Sequence, residues 1–449
     1  MKQILPVPNP VTSYWLSQPH KFHRLRSTLE LPSECDIAII GSGMAGISVA
    51  YHIYKEMGNP PSIVMLEARE LCSGATARNG GHAKIKASAL TGYVSKFGDK
   101  TVNELQTYAR GVISGLKEIV EEEELDCEFE LRRSYEVTLD AKESTSLREG
   151  FEKSRKEGYA WTKEISWAPE RHVEQVTSVK GGKSGCSVPA CSFWPYKFNT
   201  QLVERLVSRY PKKFNVQTMT MVTAVSVAPD GVSLIDTSRG QLRAKKLVFA
   251  TNAYTAGLLP QFQDVIVPYR GMASHISPKV PVHPHLSSTY NISFGSAKDA
   301  DYLNPRPDGG IIVGGGKSQY ASDKQSWFNN YDDSVRFNSE VEQYWDGYMQ
   351  RTFHGWEESR AETDKIWVGI QAATPDGFPH VGKVPGRDGQ WILAGFNGGG
   401  MGLIFTAAKA VAKMAVQGKS FDDVRSEFGI PWIFATSKER LRNAFHEDK

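Results

Sequence analysis

Three glycines at a fixed spacing carry the strongest chemical signal in the chain. They lie in Gly41-Ser42-Gly43-Met44-Ala45-Gly46, directly after the apolar run Ile37 to Ile40 and directly before a helical pattern. Gly41 permits a tight turn, Gly43 lets backbone amides approach a pyrophosphate, and Gly46 lets helix and strand pack closely. The helix N-terminus adds unpaired N–H groups and the positive end of the helix dipole. A second apolar run, Ile63 to Leu66, ends in Glu67, 26 residues after Gly41. A carboxylate there accepts hydrogen bonds from both hydroxyls of an adenosine ribose. Strand, loop, helix, strand and terminal acid in that order define a dinucleotide-binding unit; an ordinary glycine-rich turn would leave Glu67 without a role.

The same grammar returns near the other end. A strand from Trp391 to Ala394 runs into Gly395-Phe-Asn397-Gly398-Gly399-Gly400-Met401-Gly402, and a helix follows to about Val416. Two nicotinamide-type half-sites would satisfy this pattern. One long cofactor, its pyrophosphate at the first unit and its reactive ring near the second, accounts for it better. Three segments point to a flavin as that ring: Ser73 to His82 (SGATARNGGH), the turn-rich Thr374 to His380 with Asp376, and the Gly398–Gly402 loop. A helix N-terminus after the last loop puts positive potential beside the pyrimidine side of the ring. The strand Lys246 to Ala250 ends in Thr251-Asn252-Ala253, small residues suited to lie against a nucleotide. The cofactor-binding candidates are therefore residues 41–46, Glu67, Ala68, Arg69, Ala75, Thr76, Arg78 to His82, Val222, residues 251–253, Asp376, Gly395 and residues 397–402. Individually they include Ser42, Gly43, Met44, Ala45, Asn79, Gly80, Gly81, Asn252 and Ala253.

These motifs resemble the FAD-dependent D-amino-acid oxidase/glycine oxidase superfamily, and among its members the gamma-glutamylputrescine oxidase-like proteins and their fungal relatives. The resemblance runs through Ser13-Tyr14-Trp15, GSGMAG, ATARNGGH, ATNAYT at 250–255, Pro268-Tyr-Arg270-Gly271, Trp367-Val-Gly369, TPDGFPHVG at 374–382 and GFNGGGMG at 395–402. It implies a Rossmann-like α/β FAD-binding domain interleaved with an α+β substrate domain containing a mostly antiparallel sheet. The reaction it implies is oxidation of a C–N bond in a primary or secondary amine or an amino acid. Hydride passes to flavin N5, an imine forms and hydrolyses, and dioxygen reoxidises the flavin to give peroxide. Some relatives attach the flavin through cysteine, but Gly369-Ile-Gln371-Ala-Ala has none; others use a histidine where Arg78 stands. Noncovalent FAD is the expectation, and a link through His82 the alternative. Relatives that activate oxygen with a lysine carry it in a register that here offers Ile312, with Lys317 a few residues on.

Few groups are needed for such a reaction: a deprotonated amine, an oriented C–H bond and a dry pocket. His82 is the candidate for deprotonating or orienting the amine, and a histidine that stands behind the residues touching substrate is the plainer role. Arg270 is the candidate carboxylate clamp, against a structural ion pair. Lys317 is the candidate for meeting the flavin or superoxide, against a solvated loop lysine. Trp194, Tyr196, Tyr269, Tyr302 and Tyr320 supply aromatic material for an amine cage, of which about two are expected to line it. The competing functions are a dehydrogenase passing electrons to another acceptor and a nucleotide-binding regulator without turnover.

Positioning these residues takes a large chain. The 449 residues suffice for two domains, with 40% hydrophobic and 23% charged residues typical of soluble globular proteins. A net charge of +3 argues against a nucleic-acid or membrane surface. No apolar run approaches a membrane span, no signal peptide is evident, and the cytoplasm is the expected location. No metal-ligand spacing appears. The cysteines, Cys35, Cys72, Cys127, Cys186 and Cys191, read as reduced thiols, although Cys186 and Cys191 are spaced to invite pairing. The expected organisation is an irregular arm over 1–34, an FAD-binding domain from 35–95, 190–263 and 366–420, a substrate domain from 96–189 and 264–365, and a helical tail over 421–449. Helices are expected over 99–125, 199–210 and 338–352.

Overall fold

The computed structural model describes residues 3–283, 285–296 and 299–445. Two sheets organise it. The first runs in the order β16 (His380–Lys383), β17 (Gln390–Ala394), β10 (Gly240–Phe249), β1 (Glu34–Ile40), β2 (Ile63–Leu66) and β7 (Phe214–Gln217). β8 (Val222–Val227) and β9 (Ser233–Thr237) extend it beside β10. β17, β10, β1, β2 and β7 are parallel. The run that reads as continuously apolar in sequence is buried here, with Ala38 and Ile39 fully enclosed, as a parallel sheet covered on both faces requires.

The second sheet follows the order β15 (Glu362–Ala373), β11 (Val267–Ser277), β14 (Ile311–Gly315), β13 (Asp299–Pro305), β12 (Thr289–Ser296), β4 (Glu130–Thr138), β6 (Ser184–Ser192) and β3 (His82–Ala83). β5 (Ser166–Trp167) pairs with β6. All its pairs are antiparallel except β12 with β4. The α/β class with a mostly antiparallel second sheet is thus as expected. The boundaries differ: residues 366–373 and 190–192, expected with the first sheet, belong to strands of the second. β15 runs twelve residues along β11, and that pairing continues past the point where composition alone suggests a break.

The helix Met44–Glu56 is buried from Met44 through Tyr54 and lies against the helices Ile404–Gln417 and Pro195–Arg209. A long helix covers Ala87–Glu122, beginning well before the expected 99 because its two halves meet at Gly98, which is not helical. Residues 338–352 form three short pieces rather than one helix, since Gly347 takes a left-handed φ of 63°. The tail holds helices at Phe421–Phe428 and Lys438–Arg442. The arm is bound rather than loose: Trp15 is fully buried, its indole N–H donating to Asn79 O at 2.6 Å, and the Ser13 hydroxyl donates to Ala77 O. Cys186 and Cys191 lie on one strand, roughly 16 Å apart along it, too far to bridge.

Two histidines, His52 and His380, are buried in their neutral form, and His82 on the cavity wall is held neutral with them. Burial takes His52 down to about 3 and holds His82 and His380 well below the usual imidazole value. Between those values and about 6.5 the unfolded chain binds protons the folded chain refuses. Stability therefore rises with pH through this window and is lost on acidification below about 6.5. Each histidine adds a slope approaching about 1.4 kcal/mol per pH unit. Thermal unfolding followed from pH 7.5 to 5 should show a steady fall in Tm, and a flat profile would contradict the buried neutral assignment.

Candidate active site

A cavity lies between the sheets. From the first sheet it is lined by the carboxyl ends of β1, β2 and β10 (Ile40, Gly41, Leu66, Glu67, Ala250, Thr251), where open parallel sheets bind ligands. From the second it is lined by Gly271 to Ala273, Tyr302 and Gly369 to Gln371.

The nucleotide end is built for close approach and negative charge. A Cβ on Gly46 would stand 2.0 Å from Gly41 O, so the helix packs directly on the turn. Glu67 is fixed: its Oε2 accepts from Ser42 N at 2.9 Å and Ser42 Oγ at 2.7 Å, and its Oε1 from Arg69 N at 3.0 Å. Arg78 donates from Nε to Ser73 O at 3.0 Å and from Nη1 to Val11 O and Val368 O at 2.6 and 2.8 Å. Its Nη2 is buried without a protein partner, as are the Tyr254 hydroxyl and Ser73 Oγ. Burial lowers the Arg78 pKa to about 10, and Asp333, 3.7 Å away, opposes the shift. Orphaned donors beside a backbone cradle fit an anionic pyrophosphate and its attached ring.

At the other end Gly80, His82, Phe396, Gly398, Gly400, Met401 and Ile404 face Tyr302, Met272 and Gln371. Tyr302 lies across Gly314, where a Cβ would come 2.1 Å from its hydroxyl. Its ring meets His82 edge-on at 5.6 Å. Tyr269 donates from its hydroxyl to Gln371 Oε1 at 2.8 Å. Asn304 Nδ2 donates to Gly80 O at 2.8 Å, bracing the glycine segment against the second sheet. His82 is desolvated, with Lys84 adding to the depression of its pKa, and its Nδ1 has no protein partner. The imidazole there is neutral.

The structure brings together most of the residues singled out in the sequence. Gly41, Gly43, Met44, Ala45, Glu67, Ala68, Arg69, Ala75, Thr76, Arg78, Asn79, Gly80, His82, Val222, residues 251–253, Gly398, Gly400 and Met401 all line the cavity. Ser42, Gly46, Gly81, Gly395, Asn397, Gly399 and Gly402 do not line it; Asn397, for example, ties Gly395 O to Thr374.

Three expectations need correction. Arg270 is a brace rather than a clamp: it donates to Ser326 O and Val335 O at 2.9 and 2.5 Å and rests on the Phe337 ring. Lys317 does not line the cavity; its Nζ sits 4.0 Å over the Trp327 ring. Asp376 is held by Arg440 of the tail, at 2.8 and 3.1 Å. Among the five aromatics, Tyr302 lines the cavity and Tyr269 adjoins it through Gln371, whereas Trp194 bonds Trp15 O, Tyr196 lies beside His20 and His23, and Tyr320 stacks on Phe337. Sequence reasoning missed Leu5 and Pro6 of the arm, Thr220, Tyr254, Leu258 and Met272. Only Tyr254 stood in a noted motif, and nothing local marks the others.

The family model described as FAD dependent oxidoreductase matches residues 36–414. The chain belongs to that family, and FAD is its cofactor. It is similar to glycine oxidase of Pseudomonas aeruginosa, 25% identical over 187 residues, which is 41% of this chain and 45% of the relative. The alignment thus spans less than half of that relative's length. Its fold is similar to the crystal structure of glycine oxidase from Geobacillus kaustophilus (TM-score 0.70, 17% identity, 91% of this chain and 99% of that one). It is also similar to that of L-proline dehydrogenase from P. horikoshii (TM-score 0.68, 20% identity, 90% and 98%). Among the described residues no helix is long and apolar enough to cross a membrane.

Proposed function

We propose that this enzyme is an oxidase of the C–N bond in an amine or amino acid, with noncovalent FAD reoxidised by dioxygen. The observation that carries the reading is the cavity wall where Tyr302 stands against Gly80 and His82 and Gln371 against Gly398, with His82 held as a neutral imidazole. The names of the similar proteins, glycine oxidase and L-proline dehydrogenase, support an amino-acid or amine substrate. Bound FAD supplies the two-electron acceptor. Gly41, Gly43 and the N-terminus of Met44–Glu56 would hold its pyrophosphate, Glu67 would take the ribose, and the turn at 398–401 would lie toward the ring. Tyr302 excludes water and presents a π face to the substrate nitrogen. The neutral His82 imidazole on the same wall helps orient that nitrogen while the C–H bond is aligned.

An anaerobic screen of amines and amino acids, following loss of flavin absorbance, tests this reading. At least one compound should bleach the flavin, and admitting air should restore the colour within the mixing time with release of peroxide. A bleached flavin that persists in air would make the enzyme a dehydrogenase. A flavin that no amine or amino acid bleaches would remove the proposed reaction. Acid precipitation of the same sample should leave the yellow colour in the supernatant; colour in the pellet would mean a covalent link.

A further inference from the structure

We propose that Gln3 to Pro6, the tip of the N-terminal arm, form a latch over the adenosine half of bound FAD, so that the cofactor leaves only when this tip lifts. This rests on FAD as the cofactor and not on the reaction proposed above. Leu5 and Pro6 line the cavity together with Glu67, Thr220, Val222 and Leu258. That is its nucleotide end. Glu67 follows directly on β2, and Thr220 N donates to Glu67 O at 2.8 Å. Val222 opens β8 two residues further on. The arm therefore adds an apolar wall beside the ribose carboxylate, where the flat face of an adenine gains from being covered.

The tip is fastened on both sides. Gln3 Nε2 donates to Thr223 O at 2.8 Å and to Gly257 O at 2.7 Å. Each acceptor residue is the chain neighbour of a lining residue, Thr223 of Val222 and Gly257 of Leu258. Ile4 is buried, and its backbone lies directly on the short helix Thr255–Leu258: a Cβ on Gly257 would stand 1.9 Å from Ile4 O. The Tyr331 hydroxyl donates to Gln3 O at 3.2 Å. The tip thus bridges β8 and the helix Thr255–Leu258, two separate walls of the nucleotide end.

Further along, the arm is bound again. Val11 N donates to Asp333 O at 2.8 Å, Val11 O accepts from Arg78 Nη1 at 2.6 Å, and Ser13 and Trp15 donate to Ala77 O and Asn79 O. Between the two bound stretches Pro8 and Asn9 are exposed, and Asn9 takes a left-handed φ of 53° between two prolines. Asparagine is one of the few side chains that accept this conformation, and the prolines fix their own φ. A solvent-facing elbow between an anchored stretch and a fastened tip is where the arm can hinge. Lifting the tip breaks both Gln3 bonds and exposes Ile4, so the latch acts on the release rate of FAD. It lies outside residues 36–414, the part of the chain matched by the family model.

The test measures release of FAD from the holoenzyme, followed as the rise in flavin fluorescence after dilution. Gln3→Ala removes both anchoring bonds and should release FAD about three- to tenfold faster than wild type. Protein shortened to begin after Pro6 should release it about tenfold faster or more. Gly257→Ala should match the shortened protein, because its Cβ displaces Ile4 O while the sequence of the arm stays intact. In every variant the visible absorbance spectrum at saturating FAD should be that of wild type, since the ring would lie at the other end of the cavity, toward Gly398 and Met401. Release at the wild-type rate in Gln3→Ala and Gly257→Ala would overturn the latch. Faster release with an altered flavin spectrum would overturn it too, because the arm would then act through the scaffold around the ring. Should the shortened protein fail to fold, the two substitutions decide the question. None of these rates depends on whether an amine bleaches the flavin, so the latch and the proposed reaction fail separately.

Discussion

Gly46→Ala protein is expected to purify without its yellow colour. The added Cβ would stand 2.0 Å from Gly41 O and 3.1 Å from Ile39 Cγ2. The first of these is backbone, so relief requires the turn or the helix to move. Gly41 cannot absorb that motion, since it holds a φ of 106° and its own Cβ position is closed by Ala250 O at 2.5 Å. Overpacking of this kind costs about 1–3 kcal/mol, and here the strain falls on the amides facing the pyrophosphate. FAD affinity should drop by about tenfold or more, read as the ratio of flavin to protein absorbance after gel filtration. Gly111→Ala is the matched control: nothing lies within 4 Å of its Cβ, and it sits in the helix Ala87–Glu122. That variant should stay yellow and gain up to about 1 kcal/mol. Full FAD retention by Gly46→Ala would mean that the turn does not set the nucleotide cradle.

How far the sequence reveals the site follows from how local each feature is. The turn at 41–46, Glu67 and the 398–402 loop are legible because their roles depend on neighbours a few residues away: an apolar strand, a turn and a helix start. Arg270 and Lys317 are illegible for the opposite reason. A guanidinium after a strand looks like a clamp, but whether it meets a ligand or the carbonyls of Ser326 and Val335 depends on a loop some sixty residues on. Asp376 likewise finds Arg440 only when the tail folds back. The sheet boundary fails in the same way, because β15 is held by register with β11 rather than by its own composition.

Asp333→Ala should be the most destabilising single change near the cavity, and it tests whether the arm, the first sheet and the flavin segment are joined at one charge. Asp333 is fully buried. Its two oxygens accept from Arg69 Nη1 at 2.9 and 3.0 Å, and Arg78 Nε lies 3.7 Å away. Removing the carboxylate leaves two guanidinium groups in a buried site with their neutralising charge gone, a situation that costs about 3–5 kcal/mol. The bond from Val11 N to Asp333 O, at 2.8 Å, is made by the backbone and survives in alanine, so the change isolates the carboxylate from the anchoring of the arm. The denaturant midpoint should fall accordingly, and FAD retention with it, since Arg78 connects Val11, Ser73 and Val368 around the cavity. Adding Arg69→Met to Asp333→Ala should recover part of the loss, because it removes one of the two stranded charges, and the double-mutant cycle measures that coupling directly. A loss below about 1 kcal/mol in the single variant, within the range of an exposed ion pair, would show that water reaches these arginines and that their charges are not held by Asp333.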